Sequence, residues 1–414
     1  MLKALRNRNY RLYFFGQLIS LIGSWMQVLA ISWLAYQVTK SPIMLGYVAF
    51  SSQISVLIIT HFIGVYIDKW DLRKLILTTQ FLFMILAFII SYLAYNNLMT
   101  GFYLIILSLL TGLITSFDMP ARQSFVVHMV ENKEDLANAI ALNSTLFNSA
   151  RFVGPAIAGI LIAAVGEWGC FLINGISYIA VIIALLLMNV KMKNQNTKKN
   201  SPFLDFREGI DYVIHMQTIK YILLLISLVS FTGVSASVLM PVFVKDILKG
   251  NAATQGFLTS CVAVGAIIAS VYLASRQSPL GLLKYLPISI TIISFGLAFF
   301  SYSSNIYISY ATMILLGFAM TMMMISCNTI IQTIVDDDKR GRVMSLYTTS
   351  FFGTTPFGSL VTGILAGLMG AKNTILIFGL LCLAGGFIFA GKIPVFKKII
   401  KPIYEKNAII NKIN

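Results

Sequence analysis

Residues 75–126 read LILTTQFLFMILAFIISYLAYNNLMTGFYLIILSLLTGLITSFDMPARQSFV, two long apolar stretches separated by a short uncharged break at 96–100. Positive charge lies at the opposite ends, where Arg73 and Lys74 precede the first stretch and Arg122 falls near the end of the second. A helix needs about 20 apolar residues to cross the hydrocarbon core, and only helices and closed barrels satisfy their backbone groups there. The stretch therefore predicts two membrane-spanning helices.

The same alternation continues in both directions along the 414 residues and predicts twelve spans. Hydrophobic residues make up 57% of the chain and charged residues only 11%, so most of the surface must face lipid and a water-soluble globular protein is excluded. The predicted spans are residues 12–37, 43–66, 75–95, 101–126, 137–165, 168–190, 218–244, 252–275, 283–303, 306–334, 341–369 and 373–391.

The positive charge is distributed unequally between the two sides of the membrane. The formal net charge is +16, and 26 of the 31 basic residues fall on every second break or on the tails. The other side carries only Lys40, Lys245, Lys249 and Lys372, and Arg151 lies inside a span. This bias predicts that both termini are cytoplasmic and that the number of crossings is even. Because these charges flank apolar spans, the expected partner is the lipid bilayer and not nucleic acid.

The longest polar break divides the chain in two. We expect an N-terminal six-helix bundle over residues 1–190, a cytoplasmic central loop over 191–217, and a C-terminal six-helix bundle with a basic cytoplasmic tail over 218–414. The predicted fold is an all-α membrane protein with twelve transmembrane helices.

The two halves also resemble each other in sequence. Gly154 falls opposite Gly358 and Gly159 opposite Gly363, with the same offset of 204 residues. Six helices separate the copies, so both copies have the same orientation in the membrane, as in halves related by an axis along the membrane normal. We therefore expect two pseudosymmetric bundles around a central cavity.

Several motifs resemble the major facilitator superfamily of secondary transporters. Residues 64–74 read GVYIDKWDLRK, between the second and third spans, where that family carries a Gly, an Asp and a basic cluster. Residues 7–27 (NRNYRLYFFGQLISLIGSWMQ), 41–50 (SPIMLGYVAF) and 117–125 (FDMPARQSF) are similar to its branch of enterobactin-type siderophore exporters and macrolide or multidrug efflux pumps.

The resemblance implies a multi-pass secondary transporter of the bacterial inner membrane, working by alternating access of a central site. Its expected substrate is a siderophore or an amphipathic drug, exported by antiport with protons, and we expect a monomer. The alternatives are an importer or lysophospholipid flippase of the same fold, or a non-transporting membrane sensor.

The resemblance also implies a cytoplasmic gate made of charged side chains. Asp68 is expected to face the start of the eleventh span, and Arg73 to approach Asp118. The alternative is that the basic residues of this loop contact lipid phosphates. The predicted gate comprises Gly64, Asp68, Lys69, Arg73, Asp118 and Arg122.

In the fifth span, Gly154, Pro155 and Gly159 resemble the Gly-Pro motif that antiporters of the superfamily carry in this helix. Proline removes a backbone donor and glycine lacks a side chain, so a kink and a close helix contact are expected. The motif favours export. The alternative is ordinary packing, since both residues are common in membrane helices.

Arg151 is the first candidate for substrate contact. An ionised group at the bilayer centre costs at least a few kcal/mol, so a functional role is the default hypothesis for a charge near the middle of a span. An anionic catecholate or carboxylate would pair with its guanidinium. The alternative is structural: the side chain bonds carbonyls freed by Pro155, or snorkels inward.

Other polar and aromatic residues of the spans are expected to line the cavity, or alternatively to form hydrogen bonds between helices. His61 is the candidate for proton coupling, since its ordinary pKa is near 6.5, with a hydrogen bond between helices as the alternative. The remaining substrate-binding candidates are Trp25, Gln27, Gln53, Asn143, Asn148, Asn174, Asn328 and Gln332.

Enzyme motifs are missing from the sequence. It contains no Walker-type loop that would bind ATP, and no His, Cys and carboxylate cluster with metal-ligand spacing. A lipid-modifying enzyme would need clustered polar catalytic residues at one interface, and none is visible. We therefore predict neither an enzymatic activity nor a cofactor or metal.

Overall fold

Twelve helices long and apolar enough to cross a membrane lie within the residues described by a computed structural model, namely 3–67, 70–130, 133–189, 202–276 and 278–406. These residues form helices, turns and connections, and no strand. The all-α membrane fold is thus confirmed. The spans are α1 (Arg8–Thr39), α2 (Pro42–Tyr66), α3 (Leu72–Tyr95), α4 (Gly101–Met129), α5 (Lys133–Val165), α6 (Glu167–Leu187), α7 (Gln217–Ile247), α8 (Ala252–Ala274), α9 (Leu282–Tyr302), α10 (Ile306–Ile334), α11 (Arg340–Met369) and α12 (Ala371–Lys406).

The short breaks supply the caps that begin the helices. Ser41 accepts a hydrogen bond from the backbone N–H of Met44 at 3.4 Å, and Pro42 occupies the first turn. Thr100 likewise accepts from the N–H of Tyr103 at 3.3 Å. Such side chains satisfy N–H groups that have no partner inside the helix. Local chemistry therefore places these helix starts close to the predicted boundaries.

Each half packs one pair of helices through a glycine. A Cβ on Gly112 of α4 would lie 2.2 Å from the carbonyl oxygen of Ser52 on α2. A Cβ on Gly317 of α10 would lie 2.0 Å from the carbonyl oxygen of Val262 on α8. Small residues let membrane helices approach backbone to backbone. The second pair repeats the first, six helices later.

The glycines that revealed the internal repeat make a second equivalent pair of contacts. A Cβ on Gly154 of α5 would lie 3.0 Å from the carbonyl oxygen of Ile22 on α1. A Cβ on Gly358 of α11 would lie 2.4 Å from the carbonyl oxygen of Phe231 on α7. The 204-residue offset therefore marks positions with the same packing role, as expected for pseudosymmetric bundles.

Spatial contacts group the chain into two units. The first unit combines Met1–Lys198 with Met240–Ser260, and the second combines Lys199–Leu239 with Cys261–Asn414. The segment 240–260, which comes from the second half of the sequence, thus packs with the first six helices. The predicted division at the central loop remains a prediction about the two bundles.

Inside the first unit, the segment from the second half contacts α5 at the backbone. A Cβ on Gly256 would lie 2.3 Å from the carbonyl oxygen of Pro155, and the Ser260 hydroxyl donates to the carbonyl oxygen of Phe152 at 2.8 Å. The Gly-Pro region of α5 therefore has a packing role.

α7 is irregular in its second half, where π-helical turns (Ser230–Val234 and Phe243–Ile247) flank a 3-10 turn (Ser235–Leu239). The Ser230 hydroxyl lies 2.5 Å from the carbonyl oxygen of Phe351 and 2.6 Å from the Thr355 hydroxyl on α11. Hydroxyl groups from neighbouring helices compensate for irregular backbone bonding in a membrane.

The predicted central loop contains a helix, Pro202–His215, which we call the connecting helix. Glu208 on this helix accepts from Arg342 at 2.7 Å, and Tyr212 donates to the Asp336 carboxylate at 3.1 Å. Burial raises the pKa of Tyr212 above its ordinary value, and the Asp336 carboxylate adds to the rise. The connecting helix is therefore fastened to the α10–α11 connection of the second unit.

α12 is longer than predicted. The sequence placed its end near residue 391, followed by a basic tail, but the helix continues to Lys406. Phe396, Ile400 and Tyr404 of this extension are buried, at 0%, 5% and 6% exposure. Their spacing of four residues gives the extension an apolar face that packs on the protein. The lysines lowered the local hydropathy and concealed this face.

We expect Gly317→Ala to destabilise the protein by about 1–3 kcal/mol, because the new methyl group would overlap the Val262 carbonyl and force α8 and α10 apart. Gly341→Ala is the matched control, because a Cβ there has no heavy atom within 4 Å. Thermal unfolding in detergent measures both. Equal melting temperatures for the two variants would contradict the close contact.

Candidate functional site

Three side chains on one face of α5 are candidates for binding substrate. Phe147, Asn148 and Arg151 follow each other at helical spacing and are exposed. The Arg151 guanidinium lies over the Trp25 ring of α1, 5.7 Å from its centroid. Trp25 in turn meets Phe147 edge to face, with ring centroids 5.6 Å apart. We call these four residues the Arg151 site.

Arg151 has no acidic partner among the residues that the structure describes, and its recorded contact is the Trp25 ring. The ring face attracts a cation but leaves the five N–H donors of the guanidinium available. The structure shows no bond from Arg151 to a carbonyl freed by Pro155 in the described part of the chain, so this alternative is not supported. A fork of donors without an acceptor can bind an anion.

A second polar cluster, which we call the Asp118 network, lies in the C-terminal half of α4. Asp118 forms an ion pair with Arg122 at 2.5 Å and accepts from Thr79 at 2.7 Å and from Gln80 at 2.8 Å. Arg122 also donates to Gln17 of α1. The Asp118 and Arg122 side chains are only 10% and 16% exposed, so both charges are removed from solvent while paired. The network joins α1, α3 and α4.

The expected contact between Arg73 and Asp118 is wrong in this structure. Arg73 instead donates to the carbonyl oxygens of Leu185 and Leu186 at 2.9 and 3.0 Å, at the end of α6. A cation is favourable there because the last carbonyls of a helix are unpaired and carry partial negative charge. Asp118 is already satisfied by Arg122 on its own helix.

Four other predicted residues lie wholly or partly outside the described structure. Asp68 and Lys69 lie outside the described residues, so the gate contact of Asp68 stays a prediction. Gly64 and His61 belong to α2, but the surroundings of Gly64 and the side chain of His61 lie outside the described part of the structure. The proton-coupling role of His61 therefore also stays a prediction.

Gln27 and Asn174 adopt the alternative role, a hydrogen bond between helices. The Asn174 amide donates to the Gln27 side-chain oxygen at 2.6 Å. Both residues are buried: Asn174 is 0% exposed and Gln27 is 7% exposed. Asn174 also contacts the Tyr178 hydroxyl at 3.3 Å. In this conformation the two amides lock α1 to α6 and do not line a cavity.

The remaining predicted amides are dispersed. Asn143 accepts from the Tyr10 hydroxyl at 3.0 Å, which again joins two helices. Gln53 is half-buried on α2. Asn328 accepts from Gln332 at 2.6 Å, one turn along α10, and Gln332 is exposed. Asn148 is the amide that shares a face with Arg151.

Sequence reasoning missed several members of these clusters. Phe147 lies four residues before Arg151, so helical spacing alone could have grouped it with the site. Gln17, Thr79 and Gln80 are polar residues in apolar spans, and each could have been added to the amides considered. Their partners come from different helices, and no local sequence signal identifies those pairs.

Comparison with known proteins agrees with the fold. A family model described as transmembrane secretion effector, of the major facilitator superfamily, matches residues 1–404. The chain is 26% identical over 386 residues to the staphyloferrin A transporter of Staphylococcus aureus, covering 92% of this chain and 96% of that protein. It is 21% identical over 394 residues to the multidrug efflux pump Tap of Mycolicibacterium fortuitum, covering 91% and 94%.

Solved structures with the same fold are also transporters. A bacterial homologue of the human lysosomal transporter Spinster, in an inward-facing unoccupied conformation, superposes with a TM-score of 0.74 at 12% identity, over 94% of this chain and 98% of that one. The nucleoside transporter NupG gives 0.70 at 15% identity, over 94% and 99%. The protein is a multi-pass membrane transporter and not an enzyme. The chain belongs to the major facilitator family described as transmembrane secretion effectors.

Proposed function

We propose that the protein exports an anionic organic molecule of the siderophore type from the cytoplasm across the bacterial inner membrane, by alternating access and in exchange for protons. The observation that carries this proposal is Arg151, a guanidinium in a membrane-spanning helix with a tryptophan ring beneath it and no acidic partner among the described residues. An unpaired cation there is costly, and an anionic substrate would compensate the charge.

The Arg151 site also fits the shape of such a substrate. Trp25 and Phe147 form an edge-to-face aromatic pair beside the guanidinium. Asn148 supplies an amide on the same face of α5. A ligand with a carboxylate or catecholate group and a flat apolar body would use the charge, the amide and the rings together.

Export is supported by the relatives and by the motifs. One relative is named a staphyloferrin A transporter and another a multidrug efflux pump. The matching family is described as transmembrane secretion effectors. The Gly154-Pro155 motif of α5 favours the same direction. The gate formed by Asp68 and its neighbours, and proton coupling through His61, complete the proposed mechanism.

Transport direction can be measured in membrane vesicles. Everted vesicles containing the protein should accumulate staphyloferrin A when they are energised with an inside-acidic pH gradient, and vesicles without the protein should not. Accumulation only in right-side-out vesicles would indicate an importer. Binding without transport in either orientation would indicate a sensor, and transport of lysophospholipid alone would indicate a flippase.

An amphipathic drug is the second candidate, favoured by the exposed Phe147 ring and the half-buried Trp25 ring of the Arg151 site. Arg151 distinguishes the two classes, because its charge would repel a cationic drug and attract an anion. Ethidium is a suitable cationic probe in the same vesicles. Transport of ethidium but not of staphyloferrin A would replace the proposed substrate class.

A further inference from the structure

Two lysines meet at the predicted outer end of the first unit. The sequence places only four basic residues on the outer side, and Lys40 and Lys245 are two of them. The Lys40 ammonium lies 3.1 Å from the side-chain oxygen of Gln37, and the Lys245 ammonium donates to the same oxygen. We call Lys40, Lys245 and Gln37 the lysine pair site. The distribution of charge makes this clustering unusual, since outer breaks otherwise avoid cations.

The backbone positions both ammonium groups. Lys40 ends α1 in a left-handed conformation with φ of 51°, which turns its side chain back beside Gln37 in the last turn. Lys245 lies in the π-helical turn at the end of α7, a segment that packs with the first unit. Lys40 is exposed and Lys245 is partly exposed, so solutes can reach the site.

The neighbouring carboxylates leave the ammonium groups available. Asp246 accepts a hydrogen bond from the Tyr36 hydroxyl. Asp246 and Glu167 are the carboxylates whose charge acts on Lys245, but neither forms an ion pair with the lysines among the described residues. Each ammonium has three donors and uses one on an uncharged amide oxygen. Two cations that share a neutral acceptor repel each other until an anion lies between them.

We infer that the lysine pair site binds a carboxylate group and serves as an exit subsite for the exported anion. This inference rests on the proposed function, because it assigns the outward step of that same transport. A carboxylate would bridge the two ammonium groups through their remaining donors, with charge-assisted hydrogen bonds in which donor and acceptor are both ionised. The substrate would then leave Arg151 for a second cationic site before release.

Lysine acetylation of the full chain in phosphatidylcholine nanodiscs tests the site, with citrate as the probe. At a citrate concentration about ten times its dissociation constant, acetylation of Lys40 and Lys245 should slow about tenfold, because the free fraction falls by that factor. Neutral trimethyl citrate should have no effect. Lys249 and Lys372 are internal controls, and mass spectrometry quantifies all four.

Two variants sharpen the test. Lys40→Gln should raise the citrate concentration that half-protects Lys245 by about tenfold, because one of two charged donors is lost. Asp246→Asn should lower it by about threefold, since a nearby negative charge disappears. Unchanged protection in Lys40→Gln, or equal slowing of all four lysines, would overturn the inference.

A final arm separates the substrate from lipid. If phosphatidylglycerol nanodiscs protect the lysine pair without citrate, and citrate adds nothing in phosphatidylcholine, the ligand is a lipid phosphate and the exit subsite is wrong. The assay does not depend on transport. Vesicle export without lysine protection would therefore refute this inference and leave the proposed function standing. Protection without export would refute the proposed function, and with it the exit role, and would leave only a carboxylate-binding site.

Discussion

Asp118→Ala should destabilise the protein by about 3–5 kcal/mol, because it leaves Arg122 buried without its counter-charge. The guanidinium would keep a hydrogen bond to Gln17, which cannot compensate a full charge. Thr79 and Gln80 would also lose their common acceptor. Thermal unfolding in detergent measures the effect, and transport should fall in parallel because the folded fraction falls.

The double variant Asp118→Asn with Arg122→Gln tests whether the charge is the cause. It removes both charges and keeps side chains of similar size, so it should recover most of the stability that Asp118→Ala loses. Glu405→Gln is the control for an exposed ion pair with Lys401 at 3.9 Å, and should change stability by less than about 0.5 kcal/mol. A wild-type melting temperature in Asp118→Ala would contradict the network.

Arg151→Gln should reduce transport of an anionic substrate by about 100-fold while leaving stability unchanged or slightly higher. The loss corresponds to about 2.7 kcal/mol of charge-assisted binding. Stability should not fall, because the side chain has no acidic partner among the described residues and the variant removes a cation from a membrane helix. Proteoliposome transport and thermal unfolding are both needed.

Conservative variants separate charge from geometry at the same site. Arg151→Lys keeps the charge but loses the fork of donors, so transport should be intermediate. Trp25→Phe keeps an aromatic ring with a weaker attraction for cations, so it should reduce transport less than Arg151→Gln does. Lys372→Gln is the control for removal of an exposed charge. A lower melting temperature with unchanged transport in Arg151→Gln would show that the residue is structural.

The spans were predictable because apolar runs of this length have few other structures available in lipid. The internal repeat was also predictable, since Gly154 and Gly358 hold the same packing position in the two halves. Helix starts followed from local capping residues such as Ser41. In each case the information lies within one helix or in a regular offset along the chain.

The polar contacts were not predictable in the same way. Arg73 could reach either the Asp118 carboxylate or the carbonyls ending α6, and the choice depends on how three helices pack. The pairing of Gln27 with Asn174 joins residues 147 positions apart. The irregular turns of α7 are joined to α11 through the Ser230 hydroxyl. Such features arise from tertiary structure, so sequence periodicity does not reveal them.

The extension of α12 makes the second unit easy to follow spectroscopically. The 36 residues of the whole of α12 reach about 54 Å, well beyond the roughly 30 Å of hydrocarbon, and buried Phe396 packs the extension on the protein. A fluorophore on exposed Lys401 would be attached to a rigid helix and not to a flexible tail. Polarised emission from such a label would track rotation of the second unit during turnover, without altering the residues that we propose bind substrate.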